Sequence, residues 1–247
     1  MIYLILESEH KQLKILIIGG NGGIGQAITR YVRDTFPTAK IFATYRSTLP
    51  EDEGVDITWL KVNASLDADV KHLAEQISNL DMLINTAGFL HDVANKPEKS
   101  INDFTPEFFN QNLSSNTLPT LLLAKYFSNH LKAKHQTYFI SLSARIGSIK
   151  DNQIGGWVSY RCSKAALNMA VKTVSIEWQF KLPNCCVVAF HPGTTDTNLS
   201  QPFQKNVPPN KLFTTEYVSQ QLFKIISKVQ PSDTGKFYSF TGEELPW

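Results

Sequence analysis

The most constraining stretch of this chain is Gly19-Gly20-Asn21-Gly22-Gly23-Ile24-Gly25, in which five of seven residues are glycine. It follows a short β-branched run, Lys14 to Ile18, and it opens a segment in which Ile24, Ala27, Ile28, Tyr31 and Val32 recur at helical spacing. Strand, tight turn and helix are therefore predicted in that order. The glycines read either as Gly20-x-Gly22-x-x-Gly25 or as Gly19-x-x-x-Gly23-x-Gly25. Both readings clear side chains from the turn, so that a pyrophosphate can approach the backbone and meet the unpaired N–H groups of the helix start. A tight turn that binds nothing is the alternative, but its place between a strand and a helix favours dinucleotide binding.

The alternation continues along the chain. Ile41 to Tyr45 and Ile57 to Val62 read as strands, Val70, Leu73, Ala74 and Ile77 mark a helix face, and Met82-Leu83-Ile84 is a fourth strand. A long apolar helix over Leu118 to Leu131, a strand over Tyr138 to Leu142, a helix over Val158 to Phe180 and a strand over Val187 to Phe190 follow. Tyr217 to Val229 and Lys236 to Phe240 complete the series. Continuous apolar strands alternating with helices predict an α/β fold: a doubly wound, mostly parallel sheet of about seven strands with helices on both faces, of Rossmann type. One domain over residues 14–247 is expected, after an N-terminal extension over residues 1–13, because no linker, repeat or low-complexity segment divides the chain. Two stretches, Phe89 to Thr105 and Thr194 to Phe213, look irregular and follow strands, at the edge where open α/β sheets bind ligands.

Composition narrows the partner. With 42% hydrophobic and 19% charged residues the chain is globular. Lys and Arg number 24 against 22 Asp and Glu, with no basic block, so neither nucleic acid nor an anionic membrane is expected. Cys162, Cys185 and Cys186 are an odd set that builds no disulfide framework and suits a reducing cytoplasm. The Ile2 to Leu6 run is too short for a signal-peptide core, and no apolar run reaches the roughly 18 residues of a membrane span. The six histidines lack HExxH-type spacing, so no metal site is expected. A small molecule remains as partner.

Two further features carry chemistry. An NAD-selective site presents Asp or Glu at the end of the second strand, whereas this chain has Thr44-Tyr45-Arg46-Ser47. A guanidinium binds a 2′-phosphate by charge and geometry, so Arg46 favours NADP over NAD; its alternative is a solvated surface charge. Tyr160 and Lys164 lie four apart on a predicted helix and share a face. An ammonium at about 4 Å supplies the order of energy needed to bring a phenol toward neutral pH. Accidental pairs of this spacing are common, so it is informative only in company.

That company is present. Gly19-x-x-x-Gly23-Ile24-Gly25, Asp81-Met82-Leu83-Ile84-Asn85-Thr86-Ala87-Gly88, Tyr160-Arg161-Cys162-Ser163-Lys164 and Pro192-Gly193-x-x-x-Thr197 occur in the order seen in the short-chain dehydrogenase/reductase family, which the chain resembles from about Lys14 onward. The resemblance implies an NADP-dependent oxidoreductase interconverting a carbonyl and an alcohol. In it Tyr160 is the general acid/base, Lys164 tunes Tyr160 and holds the nicotinamide ribose, Ser143 holds the carbonyl oxygen, and Asn116 holds a water in a proton relay. It also places Gly19, Asn21, Gly23, Ile24, Gly25, Arg46, Asn63, Asn85, Ala87, Gly88, Pro192, Gly193, Thr195 and Thr197 around the cofactor. A homodimer or homotetramer through the Leu118 and Val158 helices is implied as well.

Departures from the pattern are informative. Ser141-Leu142-Ser143-Ala144-Arg145-Ile146-Gly147 puts Ala144 where much of the family has a serine three residues before a glycine. Strand alternation would turn Ser143 the other way unless the strand end re-aims it, and Ser141 is the competing choice. Asn63 stands where an Asp often meets adenine, and Thr86 replaces an Asn at a position expected to matter less. A helix-interior amide bonded to backbone is the alternative for Asn116. Trp157 and Phe89 are expected either to line a pocket or to pack, and Cys162 to be a small core residue. Gly147-Ser148-Ile149, Gly155-Gly156-Trp157 and the ending Gly242 to Trp247 look like the C-factor-like branch, known from a signalling protein and from carbonyl reductases. A dinucleotide-binding regulator with incidental turnover is therefore the competing function. A sugar-nucleotide epimerase is disfavoured by the short tail after Pro192-Gly193.

Overall fold

The computed structural model describes residues 12–50 and 56–247, so the Ile2 to Leu6 run and all but the last two residues of the expected extension lie outside the described residues. β1 (Lys14–Ile18) passes through the glycine turn into α1 (Gly23–Thr35), followed by β2 (Lys40–Tyr45), β3 (Ile57–Lys61), α2 (Asp67–Gln76) and β4 (Met82–Asn85). Next come α3 (Pro106–Asn116), α4 (Leu118–Phe127), β5 (Thr137–Leu142), α5 (Val158–Lys181) and β6 (Cys185–His191). Two short strands, β7 (Thr194–Thr195) and β8 (Leu212–Phe213), precede α6 (Thr215–Ile226) and β9 (Phe237–Ser239).

The main sheet has seven strands in the order β3-β2-β1-β4-β5-β6-β9, and every pairing in it is parallel. Because side chains alternate across a strand, each strand feeds two cores. Ile15, Ile17, Met82, Ile84, Ile140 and Val188 pack toward α1 and α6, while Leu16, Ile18, Leu83, Phe139, Val187 and Ala189 pack toward α2, α4 and α5. Strand order reverses at β1, which pairs with both β2 and β4, and a ligand crevice is expected beyond the carboxyl ends at such a switch point. No helix among the described residues is long and apolar enough to cross a membrane.

Two elements differ from the sequence expectation. α3 was not foreseen, since Asn- and Ser-rich Pro106–Asn116 has weak helix propensity. It forms because the Thr105 hydroxyl accepts from Phe108 N–H at 3.3 Å and Pro106 occupies the first turn, where its missing N–H costs nothing. The expected Leu118 to Leu131 helix ends at Phe127. Pro119 also supplies no N–H to the carbonyl four residues earlier, which accounts for the break between α3 and α4 beside the site.

Candidate active site

Two clefts open at the carboxyl edge, one on each side of the glycine turn. The first, of about 330 Å³, is lined by Gly19, Asn21, Gly22, Arg46, Asn63, Thr86, Ala87 and Gly88, with Ser115 and Pro119 from the helix break. The turn is closed by Gly22 N–H donating to Gly19 O at 2.9 Å, and Gly19 has φ +72°, which side chains rarely adopt. A Cβ on Gly25 would lie 2.1 Å from Gly19 O, so only glycine lets the helix start this close to the turn. The first turn of α1 carries no acidic residue and no side-chain cap, leaving its N–H groups and positive dipole end open to an anion. Arg46 is exposed at the rim and makes no ion pair among the described residues. These features fit a dinucleotide bearing a 2′-phosphate.

The second cleft, of about 380 Å³, brings together Ile24, Ser143, Ala144, Arg145, Trp157, Tyr160, His191, Pro192, Gly193, Thr195 and Thr197. Tyr160 (8% exposed) and Lys164 (4%) lie on one face of α5, with Lys164 Nζ 5.8 Å from the Tyr160 ring centre and donating to Leu142 O at 3.1 Å. A Cβ on Gly88 would lie 3.8 Å from Asn116 Oδ1 and 3.9 Å from Lys164 Nζ, so the ends of β4, α3 and α5 converge there. Burial decides the ionisation of both residues. It drives the Tyr160 phenol well above its usual range and pushes Lys164 down to about 8. Desolvation is what raises the phenol, so Tyr160 keeps its proton at neutral pH.

Glu98 sets the start of α5. Its backbone carbonyl accepts from Trp157 N–H at 2.6 Å, and its buried carboxylate accepts from Ser159 N–H at 3.2 Å and from the Ser159 hydroxyl. Trp157 is held at φ +52°, a strained conformation for a bulky residue, with its ring 4.8 Å from Phe203 and 6.3 Å from Tyr160. Sequence reading missed Glu98, since a lone acid in an irregular stretch carries no pattern.

Several expected site residues are committed elsewhere. Ser143 lines the Tyr160 cleft, but its hydroxyl donates to Asn168 Oδ1 on α5 at 2.5 Å, the inward direction that strand alternation gives. Ser141 lies away from both clefts, bonded to Thr120 at 3.1 Å. The Asn116 amide accepts from Phe89 N–H at 2.7 Å and donates to Phe89 O and Ser163 Oγ at 2.9 Å, which is the backbone-bonded arrangement. Asn85 is buried, donates to Thr120 at 2.9 Å and accepts from Ala87 N–H at 3.1 Å, so it shapes the first cleft without lining it. Asn63 uses Oδ1 in a local turn to Ser65 N–H and keeps its place in the first cleft. Thr86, expected to matter less, donates to Ile18 O at 2.6 Å and lines that cleft. Trp157 lines the second cleft, while Phe89 packs edge-on against Phe108. Cys162 is exposed, correcting its expected core position, because α5 turns that side outward.

The model of the short chain dehydrogenase family matches residues 13–208. The chain is 26% identical over 242 residues to the 1-hydroxy-2-glutathionyl-2-methyl-3-butene dehydrogenase of Rhodococcus sp. strain AD45, covering 94% of this chain and 99% of that one. It is 31% identical over 106 residues to the C-signal of Myxococcus xanthus, covering 43% of this chain and 58% of that protein. Its fold is similar to an NADPH-bound carbonyl reductase from chicken fatty liver (TM-score 0.83, 23% identity, 96% of this chain and all of that one). The carbonyl reductase Sniffer of D. melanogaster is comparably similar (TM-score 0.82, 23% identity, the same coverage). With a family match over most of its length and the glycine turn, Tyr160 and Lys164 gathered at one sheet edge, the chain belongs to the short chain dehydrogenase family of oxidoreductases.

Proposed function

We propose that this protein is an NADP-dependent carbonyl reductase, with Tyr160 giving the proton to the substrate oxygen. The observation that carries the reading is Tyr160 itself: a buried, protonated phenol with its lysine partner on the same helix face, lining a cleft beside the glycine turn. NADPH held in the first cleft by the glycine turn and Arg46 would supply the hydride. Tyr160 delivers a proton to the oxygen as negative charge develops there, and Lys164, anchored on Leu142 O, stabilises the phenolate left behind. Ile24 faces the second cleft, Gly25 lets the helix start close to the turn, Gly23 leaves room for Thr197, and Gly19, Asn21, Asn63, Ala87 and Gly88 line the cofactor cleft. Pro192, Gly193, Thr195 and Thr197 bound it from the other side, where a Cβ on Gly23 would meet Thr197 Cγ2 at 2.6 Å. Asn116 and Asn85 support it by holding the Phe89 and Ala87 backbone. Ser143 can reach a substrate oxygen as donor only by giving up Asn168. The solved structures similar in fold include NADPH- and NADP-bound reductases and dehydrogenases.

Arg46 makes the reading testable. A charge-assisted contact to the 2′-phosphate is worth about 10- to 100-fold in affinity, so NADPH is expected to bind that much tighter than NADH at one fixed salt concentration. Arg46→Asp is expected to abolish or reverse the preference with little change for NADH. Equal affinities in the unaltered protein, measured by fluorescence titration, would return Arg46 to a surface charge. NADPH binding without reduction of any carbonyl in a broad panel would favour the regulator reading.

A homodimer or homotetramer belongs to the same proposal. Leu121 on α4 and Met169, Ile176 and Phe180 on α5 stay between 43% and 87% exposed, an apolar face suited to a second copy. Phe180→Glu is expected to shift the protein toward monomer in sedimentation velocity; an unaltered distribution would place the interface elsewhere. The three free cysteines suit a reducing compartment, and we place the protein in the cytoplasm.

A further inference from the structure

Among the polar groups of the Tyr160 cleft, the Tyr160 hydroxyl and the imidazole of His191 have no hydrogen-bond partner among the described residues. Of their polar neighbours, Ser143 shares its hydroxyl with the Asn168 amide at 2.5 Å, and Arg145 ties its Nε to Asp151 at 2.8 Å. His191 ends β6, next to the end of β5, where Ser143 N–H donates to Phe190 O at 2.8 Å. Its ring packs edge-on to Phe240 at 6.5 Å. Nδ1 is enclosed with neither donor nor acceptor in reach. An enclosed, orphaned N–H is rarer and costlier than an enclosed lone pair, so the ring keeps its proton on Nε2, the nitrogen that is not enclosed. Burial, helped by the charges of Arg145 and Lys164, holds the imidazole pKa down to about 4, and the ring is neutral at pH 7.

A carbonyl oxygen taking on charge needs a fixed donor in addition to the proton donor. We propose that His191 is that donor: its Nε2–H holds the substrate oxygen beside the Tyr160 hydroxyl, while the Ser143 hydroxyl stays paired with the Asn168 amide. Ala144 lines the same cleft and offers only a methyl group. Tyr160 then transfers the proton, and His191 enters and leaves the reaction neutral, as a catalytic residue that touches substrate without exchanging a proton. This inference rests on the carbonyl reductase reading.

The test is steady-state NADPH-dependent reduction of a carbonyl found by panel screening, with NADPH affinity and thermal melting recorded for each variant. His191→Phe is expected to lower kcat about 100-fold, the scale of one lost oxyanion donor, with NADPH affinity within threefold. His191→Gln, whose amide can donate from a similar place, is expected to stay within about tenfold of the unaltered protein. Adding Ala144→Ser to His191→Phe is expected to recover at least tenfold, by returning a hydroxyl to the cleft. Turnover of His191→Phe within threefold of the unaltered protein would overturn the assignment. Equal damage by Phe and Gln in folded variants would also overturn it, by making the role one of shape. So would a loss of NADPH affinity that matches the loss of turnover. Absence of carbonyl reduction by the unaltered protein is a separate result, and it defeats the reductase reading and this inference together.

Discussion

Tyr160→Phe is expected to cut carbonyl turnover by about 10³-fold, within the range of a lost general acid, while NADPH affinity stays within threefold. The phenol is 8% exposed and burial raises its pKa, so at neutral pH its hydroxyl is protonated and can act as an acid. Phenylalanine fills the same space against Trp157 and removes only the hydroxyl. The loss should therefore fall on kcat, and a thermal melt should change little. Retention of more than a tenth of the turnover would show that another group protonates the substrate. A parallel fall in NADPH affinity would mean that the ring organises the cofactor cleft rather than the chemistry.

Lys164→Met is expected to abolish turnover and, at pH 7, to leave the protein as stable as before or more so. Lys164 is 4% exposed, and burial lowers its pKa from 10.5 to about 8. At pH 7 both folded and unfolded chains carry the proton, and the folded chain bears the cost of an enclosed ammonium, on the order of 3 kcal/mol. Between pH 8 and 10.5 the folded protein has released a proton that the unfolded chain still binds, so the unaltered protein gains stability as pH rises through that window. Methionine removes the penalty but leaves Leu142 O without its donor, which costs about 1–3 kcal/mol. The stability difference between variant and unaltered protein should accordingly move toward the unaltered protein from pH 7 to pH 10. Denaturant melts at both pH values read this directly, and a pH-independent difference would show that the folded-state pKa of Lys164 is not depressed. A buried charge kept at a stability cost is expected where activity requires it.

The sequence by itself determined whatever depends on residues close in the chain. Strand, glycine turn and helix at Lys14 to Val32 follow from spacing and from the lack of a Cβ, and the structure has β1, the Gly19 turn at φ +72° and α1 there. Tyr160 and Lys164 share a face because four residues are about one helical turn. All seven main-sheet strands were recognisable because, apart from β3, they are apolar and buried on both faces. What only the tertiary structure decided is which partner each polar side chain meets across the fold. The Ser143 hydroxyl reaches Asn168, 25 residues away, and the Asn116 amide is taken by Phe89, 27 residues earlier, so roles read from position alone met competitors that no local pattern displays. Burial by distant elements likewise raises the Tyr160 phenol and lowers the Lys164 ammonium, an effect that no local spacing displays. His191 carried no signal in sequence, for an unpaired nitrogen becomes visible only when everything that could have paired with it has been placed.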